Sequence, residues 1–310
     1  MEGNKYPLAT LMILFYNQEK FVKDAVEGAL SQTYPNLEII LSDDNSPDRT
    51  FEVIQECVKN YQGPHKIVLN KNENNMGLVP HINKLCFEVA KGEYIFLNGG
   101  DDISLPNRVD SGVEAFIKHP EVAAVTFSRI VINTDGAKTG TVEVQQEYKA
   151  IIDKDYLRKS DFMAGASALS FRKSVLDVFG RLSPDCQTED SVLRFRALLL
   201  GGILCLPEFG LKYRVHDNNI SRYYNNFKTK LIADQYMADI EKYKAKLSPH
   251  LYSMLQNKVE YYCHYRACLV ARENCKSYFE KFVIDVKKKI LKVIHNYKIS
   301  QMHEKHSYCK

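Results

Sequence analysis

Two adjacent carboxylates, Asp101 and Asp102, follow a short apolar run at residues 94–97 and the tripeptide Asn98-Gly99-Gly100. The apolar run has the length and composition of a buried strand, and the glycine pair permits a sharp turn at its end. Adjacent carboxylates repel each other unless a positive charge lies near them. A divalent cation that carries a diphosphate would supply that charge, because Mg²⁺ and Mn²⁺ prefer oxygen ligands. The alternative is a helix N-cap, for which one aspartate would suffice.

A second pair of adjacent carboxylates, Asp43 and Asp44, follows the apolar run at residues 37–41. Before and between these runs, apolar positions recur at the i, i+3, i+4, i+7 spacing of a helix. Strands that alternate with helices predict right-handed crossovers and a mainly parallel sheet. Ligands bind at the carboxyl edge of such a sheet, and both pairs would lie there. Two pairs at equivalent strand ends favour a nucleotide and its metal over helix caps.

The glycine-rich motifs that often hold phosphates are absent from the sequence. It contains neither a GxGxxG dinucleotide fingerprint nor a GxxxxGKS phosphate loop. Phosphates bound at this edge would therefore be held through a metal ion rather than by the backbone amides of a glycine loop.

Three further titratable residues lie at the ends of predicted elements. Glu189 and Asp190 precede a helical run, and His216 ends a predicted strand at residues 211–216. Acidic residues suit the positive end of a helix dipole, so a structural role is the alternative to catalysis for the first two. A single histidine is usually structural or exposed, but neutral imidazole is also a common metal ligand. Both interpretations of each position stay open.

The composition is that of an ordinary globular protein with room for one large domain or two smaller ones. The chain has 310 residues, of which 45% are hydrophobic and 26% charged, and its net charge of +4 is too small to argue for nucleic acid binding. The eight cysteines show no CxxC or zinc spacing, so we expect reduced core thiols in a cytosolic protein. No apolar run is long enough to span a bilayer, and residues 6–16 lack the flanks of a signal peptide.

The pattern changes near residue 226, where strand signals stop and the sequence becomes helical and rich in tyrosine and lysine. We therefore predict an α/β domain at residues 1–225 and a basic helical extension at residues 226–310. Within the extension, the apolar residues between Phe282 and Tyr297 share one helix face, with five lysines nearby at residues 281–292. A basic amphipathic helix can lie on an anionic membrane surface. A helix docked on the domain with solvated lysines is the alternative.

Several stretches, taken in order, resemble the family 2 glycosyltransferases, which have a Rossmann-like GT-A fold. The resemblance covers roughly residues 8–220. The stretches that carry it are LFYNQE at residues 14–19, LSQTYPNLEI at 30–39 with SDDNS at 42–46, NMG at 75–77, AKGEYI at 90–95, TED at 188–190, and YRVH at 213–216 with NIS at 219–221.

This resemblance implies inverting transfer of a sugar from a UDP- or dTDP-sugar to an acceptor hydroxyl, with Asp190 as general base and Glu189 as the fallback. The family's metal motif is usually Asp-x-Asp, and Gly99 occupies its first position here. Members with this "GDDIS" form act on bacterial O-antigen and capsule. The cofactor would be Mg²⁺ or Mn²⁺, held by Asp101 with help from Asp102 and His216.

The resemblance also implies the residues that bind the nucleotide-sugar, with Asp44 accepting from a pyrimidine N–H and an aromatic ring stacking on the base. The predicted set is Phe15, Tyr16, Asn17, Glu19, Asp43, Asp44, Asn75, Gly77, Asn83, Gly100, Asp101, Asp102 and Arg108. The acceptor would be a glycan or a lipid-linked glycan, which would give the basic extension a reason to touch the cytoplasmic face of the membrane. A nucleotidyltransferase and a non-catalytic sugar-binding protein of the same fold are the rival functions.

Overall fold

A single ten-stranded sheet forms the centre of the α/β part of the chain. The computed structural model describes residues 6–159, 169–186, 188–217, 219, 229–275 and 277–307. The strands in chain order are β1 (Ala9–Phe15), β2 (Leu37–Asp43), β3 (Lys66–Lys71), β4 (Tyr94–Gly99), β5 (Ile103–Ser104), β6 (Ala124–Ile132), β7 (Lys138–Val142), β8 (Tyr148–Ala150), β9 (Ser170–Arg172) and β10 (Ile203–Arg214).

Four parallel strands make the half of the sheet that the sequence predicted. Their order is β3-β2-β1-β4, with β1 paired to both β2 and β4. In this register Phe15 is opposite Asp43 and Leu14 is opposite Gly99. The ends of three strands are therefore level, and the loops that follow them meet at one edge. The α/β fold class with a mostly parallel sheet is confirmed.

The other half of the sheet is mixed. β9 pairs antiparallel with both β4 and β6, and β10 runs parallel to β6 but antiparallel to β5 and β8. The sequence predicted a strand only at residues 211–216, whereas β10 begins at Ile203 and ends at Arg214. Its antiparallel pairing with β5, in which Leu211 is opposite Ser104, brings the residues after Arg214 to the loop that follows β4.

Helices cover both faces of the sheet, as the predicted crossovers require. The helices in chain order are α1 (Val22–Leu30), α2 (Thr50–Val58), α3 (Leu78–Lys84), α4 (Arg108–Lys118), α5 (Lys154–Arg158), α6 (Ser174–Phe179), α7 (Glu189–Leu200), α8 (Thr229–Tyr243), α9 (Pro249–Asn274) and α10 (Tyr278–Ser307). Alternate residues of β1 separate the two layers of the core. Leu11 and Ile13 pack with α1 and α4, whereas Met12 packs with α3 and α7.

The helical extension shares its core with the α/β part. Tyr236 and Ile240 of α8, Leu255 of α9 and Ile299 of α10 belong to the same buried cluster as Met12. The boundary predicted at residues 225/226 lies outside the described residues. No described helix is long and apolar enough to cross a membrane, and the cysteines that the structure describes are all free thiols.

A buried ion pair fastens the extension to the α/β part. The guanidinium of Arg196 on α7 donates to both carboxylate oxygens of Asp239 on α8, over 2.8 and 3.0 Å. Both side chains are almost fully buried. Such two-point contacts fix orientation as well as distance, so α8 has one defined position against α7.

A buried histidine lies beneath the loops at the carboxyl edge. The Nε2 atom of His81, on α3, is 2.5 Å from the hydroxyl of Ser42 on β2. Burial lowers the pKa of His81 to about 4, although nearby Asp44 acts in the opposite direction. The imidazole is therefore neutral at physiological pH, and its protonation would leave a charge in the core.

This histidine should make folding pH-dependent. The unfolded chain takes up the proton near pH 6.5 and the folded chain only near pH 4, so the stabilising contribution is present above pH 6.5 and is lost as the pH falls toward 4. Between pH 7 and pH 5 the wild type should lose about 2 kcal/mol more unfolding free energy than His81→Gln. Urea titrations followed by circular dichroism measure this difference, and parallel pH curves for the two proteins would contradict it.

Candidate active site

The turn after β4 is built against the end of β1. The backbone N–H of Gly100 donates to the carbonyl of Leu14 over 2.8 Å. A Cβ atom at Gly100 would collide with the ring of Phe15 and the side chain of Gln18. Glycine is therefore required here by close approach, and this approach places Asp101 beside the end of β1.

The side chain of Asp101 is held by two residues that follow β10. Its Oδ2 atom lies 2.9 Å from Nε2 of His216 and accepts from Nδ2 of Asn219 over 3.1 Å. The Asn219 side chain in turn accepts from the backbone N–H of His216 over 2.6 Å, and the ring of Phe21 lies 4.9 Å from the His216 ring. The structure thus brings together Asp101 and His216, which the sequence placed in one predicted site.

Asp102 has different surroundings from Asp101. It is buried, and its Oδ1 accepts from the backbone N–H of Arg214 over 2.8 Å. Burial raises the pKa of Asp102 well above its usual value, as does the negative charge of Asp101, while Arg214, Arg108 and Arg129 act in the opposite direction. The carboxyl of Asp102 therefore lies in the protein interior and is bound there by the end of β10.

The predicted three-residue metal set of Asp101, Asp102 and His216 does not form. Among the described residues no three His, Cys, Asp or Glu side chains come together as a metal-binding group. The reason is the burial of Asp102, whose carboxyl faces the end of β10. Asp101 and His216 remain as neighbouring donors.

Arg214 connects four parts of the chain around this turn. Its Nε donates to the carbonyl of Asp101 over 2.9 Å, one Nη donates to the carbonyl of Thr134 after β6 over 2.8 Å, and the other is 2.7 Å from the carboxylate of Asp24 on α1. The guanidinium also lies over the ring of Phe21 at 4.9 Å. No role for Arg214 was predicted from the sequence, although it lies two residues before His216.

Replacing Arg214 should test how much the site depends on it. A lysine cannot reach these acceptors together, so Arg214→Lys would leave buried polar groups unpaired. We expect Arg214→Lys to lower the free energy of unfolding by about 2–4 kcal/mol, measured by urea denaturation. The control is Arg49→Lys, whose exposed pair with Glu56 should be worth about 1 kcal/mol or less. Similar losses in both variants would contradict this assignment.

The other carboxylate pair builds the neighbouring loops. Asp43 accepts from the backbone N–H and the hydroxyl of Ser46 across a turn in which Asn45 has a φ of +59°. Asp44 accepts from the backbone N–H groups of Met76 and Gly77 over 3.0 and 2.9 Å. These contacts hold the loop before α3 against the end of β2. Asp43 and Asp44 thus stabilise the loops themselves. Any contact that they make with a nucleotide would be additional to this structural role.

Loop residues of the predicted nucleotide site also contact one another. The backbone N–H of Asn17, which has a φ of +54°, donates to Ser46 over 2.8 Å. Glu19 accepts from the backbone N–H of Arg49 over 3.2 Å, and Asn75 accepts from Gly77 over 2.9 Å. The structure therefore assembles the loops after β1, β2 and β3 into one surface beside Asp101.

The structure places two residues of the predicted nucleotide site, Asn83 and Arg108, in the protein interior. Asn83 is buried on α3 and exchanges two hydrogen bonds with the backbone of Leu182, over 2.8 and 2.9 Å. Arg108 is fully buried and donates to Asn98, Ser104 and the carbonyl of Leu97. Both residues thus stabilise the fold through these contacts, and a role of either in nucleotide binding stays a prediction.

The predicted base lies at the start of α7. One oxygen of Asp190 accepts from the backbone N–H of Ser191 over 2.7 Å, and the other is 3.3 Å from the guanidinium of Arg194. Its side chain is 42% exposed, so it is open to a substrate. The pKa of Glu189, by contrast, is raised to about 8 by burial and by the charge of Asp190. Glu189 therefore keeps its proton at neutral pH.

Arg129 on β6 links these two acidic regions. It lies within electrostatic range of both Asp102 and Asp190, and burial lowers its pKa. Its guanidinium lies 4.7 Å from the ring centre of Tyr213. Its Nε is buried without a hydrogen-bond partner among the described residues. Sequence reasoning missed this arginine, because nothing in its local pattern distinguishes it from other strand residues.

Residues 10–191 match the profile described as Glycosyl transferase family 2, which is more than half of the chain. The chain belongs to this family. The last two residues of its YRVH…NIS stretch, Ile220 and Ser221, lie outside the described residues.

Relatives in the family match this chain over part of their length. The Bacillus subtilis protein EpsE is 32% identical over 135 residues, which is 44% of this chain and 48% of EpsE. The poly-beta-1,6-N-acetyl-D-glucosamine synthase of Staphylococcus epidermidis is 29% identical over 212 residues, which is 66% of this chain and 47% of the synthase. The chain thus spans about half the length of these two relatives.

Solved structures confirm the GT-A-like fold. TarS residues 1–349 from S. aureus superpose with a TM-score of 0.62 at 15% identity, covering 95% of this chain and 83% of that one. The mannosyltransferase PcManGT from Pyrobaculum calidifontis, in complex with GDP-Man and Mn²⁺, superposes with a TM-score of 0.58 at 14% identity, covering 99% of this chain and 89% of that one. At such low identity the likeness extends to the fold alone.

Proposed function

We propose that this protein is an inverting glycosyltransferase that moves a sugar from a UDP- or dTDP-sugar to an acceptor hydroxyl, with Asp190 as general base. The observation that carries the proposal is the contrast between Asp190 and its neighbour. The side chain of Asp190 is 42% exposed and contacts Arg194, whereas Glu189 has one buried carboxyl oxygen with no hydrogen-bond partner among the described residues and a pKa raised to about 8. Two adjacent acids whose environments differ in this way are typical of assigned acid and base roles.

The donor set at the β4 turn suits a divalent cation that is shared with a diphosphate. Mg²⁺ usually takes only one or two protein carboxylates together with phosphate oxygens and water, and imidazole is a ligand for Mn²⁺ and similar ions. Asp101 and His216 would hold the ion, since their side chains already meet at 2.9 Å. When bound, the cation offsets the charge that develops on the leaving diphosphate.

The chain's own residues supply the rest of the reaction. The bond from the acceptor oxygen to the anomeric carbon forms as the bond to the diphosphate breaks, and Asp190 takes the hydroxyl proton. The N–H of Ser191 and the guanidinium of Arg194 keep this carboxylate in place. Arg129 has a buried Nε without a partner in the described part of the chain, and it would donate to the diphosphate.

The loops after β1 and β2 would bind the nucleoside. Phe15 is almost fully buried, whereas Tyr16 is 46% exposed, so Tyr16 is the ring able to stack on the base. Asp44 would accept from a pyrimidine N–H while it holds the loop at Gly77. Asn17, Glu19, Asp43, Asn75 and Gly100 would shape this surface through the loop contacts that they already make.

Relatives and sequence features suggest the pathway and location. The relatives that this chain matches include a poly-beta-1,6-N-acetyl-D-glucosamine synthase and a hyaluronan synthase from Pasteurella multocida. We therefore propose a role in synthesis of a surface polysaccharide such as O-antigen or capsule, on a glycan or lipid-linked glycan. The protein would act in the cytoplasm, in contact with the inner face of the membrane through the helical extension at residues 226–310.

Replacing Asp190 should remove chemistry while leaving donor binding. We expect Asp190→Asn to lower the transfer rate by about 100-fold or more, while nucleotide affinity measured by calorimetry stays close to that of the wild type. Glu189→Gln is the matched control, because an amide resembles the protonated acid; it should transfer far faster than Asp190→Asn. Strong residual transfer by Asp190→Asn would reject this base.

Asp101 should be needed for metal-dependent donor binding. Titration of UDP and dTDP into the wild type is expected to show tighter binding with Mn²⁺ or Mg²⁺ than with chelator, and Asp101→Asn should lose most of this enhancement. Equal enhancement in both proteins would reject Asp101 as a ligand.

Hydrolysis of a panel of UDP- and dTDP-sugars by the wild type identifies the donor. Release of pyrophosphate from a nucleoside triphosphate would instead indicate a nucleotidyltransferase.

A further inference from the structure

The outward face of α10 is strongly apolar. Nine large apolar side chains between Tyr278 and Tyr297 are exposed, and Phe279, Val293 and Tyr297 are 72%, 67% and 63% accessible. At 3.6 residues per turn these nine positions fall within an arc of about 160°. They therefore form one continuous stripe, about 30 Å long, which we call the α10 stripe.

The opposite face of α10 is the one that packs on the protein. His295 and Ile299 are buried there. The ring of His295 stacks on Tyr261 of α9 with centres 4.1 Å apart, and its Nε2 contacts the carbonyl of Leu157 on α5 over 2.7 Å. The helix is thus held by one face while the α10 stripe points away from the domain. Exposed apolar surface of this extent usually marks an interaction site.

Positive charge borders the α10 stripe. The helix carries seven lysines and three carboxylates. On the helical wheel Lys289 and Lys292 lie toward one edge of the stripe, and Lys287 and Lys298 toward the other. Lysines outnumber carboxylates on this helix, and Asp285 is already paired with Arg272 and Lys288. Two copies of the helix would therefore repel each other through their net positive charge, whereas an anionic lipid surface complements it. Lysines at the edges of an apolar face can extend to the headgroup level.

A cavity of about 510 Å³ lies beside the stripe, between α5, α9 and α10. Arg158, Lys159 and Lys292 line it together with one acid, Asp155. Tyr261 also lines the cavity; it is 5% exposed, and within the described residues its hydroxyl has no hydrogen-bond partner. Asn296 lines it too, and its buried Oδ1 likewise has no partner among the described residues. With three cations against one acid, the lining suits a phosphate group, which accepts several charge-assisted hydrogen bonds.

We propose that α10 lies in the plane of an anionic membrane, with the α10 stripe among the acyl chains and the phosphate of one lipid headgroup in the neighbouring cavity. Lys292 and Asn296, which line the cavity, lie within about 40° of one edge of the stripe on the helical wheel, so a lipid whose headgroup enters the cavity can lay its chains along the stripe. The inference deepens the membrane contact of the proposed function. Its test reads lipid binding and is independent of sugar transfer.

The test is co-sedimentation of the full-length protein with vesicles of phosphatidylcholine alone or mixed with phosphatidylglycerol. The wild type should bind the anionic vesicles at least about tenfold more tightly than the neutral ones. The triple variant Phe282→Ser, Ile290→Ser, Val293→Ser should lose at least about tenfold of this binding. The control is Ile117→Ser on α4, which is 55% exposed and lies outside the stripe; it should bind as the wild type does.

A second pair of variants separates the headgroup cavity from general electrostatic attraction. Arg158→Gln should weaken binding to anionic vesicles more than Lys23→Gln, which removes an equal charge from an exposed position on α1. Equal losses in these two variants would overturn the headgroup site. Equal wild-type binding to neutral and anionic vesicles, or full binding by the triple variant, would overturn the membrane face. Self-association that the triple variant abolishes, without vesicle binding, would assign the stripe to a second copy instead.

Discussion

The site depends on how the fold accommodates two adjacent carboxylates at the end of β4. Side by side in a loop with little water, Asp101 and Asp102 would repel each other strongly. Arg214 relieves this repulsion, because its backbone N–H binds Asp102 and its guanidinium binds the carbonyl of Asp101. The same guanidinium reaches Asp24 and the hairpin after β6. The contacts that Arg214 makes at this turn therefore also position α1, β10 and His216 around it.

Burial divides the roles within each acidic pair. Asp102 faces the interior while Asp101 meets His216 at the edge of the sheet. Glu189 has one buried carboxyl oxygen and keeps its proton, while the side chain of Asp190 is 42% exposed. In each pair, desolvation and the charge of the neighbour raise the pKa of the more enclosed carboxyl. The other carboxyl stays available to a ligand, so one physical rule yields both the metal candidate and the base candidate.

Local patterns predicted the elements that deliver these residues. The apolar runs of β1, β2 and β4 and the helical spacing of α1 and α3 are contained within a few residues, and their predicted order gave the parallel half of the sheet. The antiparallel strands β8 and β9 were missed, since three residues hold no periodicity. The interior contacts of Asn83 and Arg108 were not predicted, because residue type and motif position do not reveal that their polar atoms bond to Leu182, Asn98 and Ser104.

The sequence by itself determined the family, the α/β class, the acidic positions and the amphipathic character of α10. Each of these rests on residue type and short spacing, which a chain carries before it folds. Only the tertiary structure decided that Asp102 rather than Asp101 is buried, since burial depends on contacts such as that between Asp102 and the backbone N–H of Arg214, 112 residues apart. It also decided that α10 docks through His295 and Ile299 and turns its apolar stripe outward, because a helical period defines a face but not its partner.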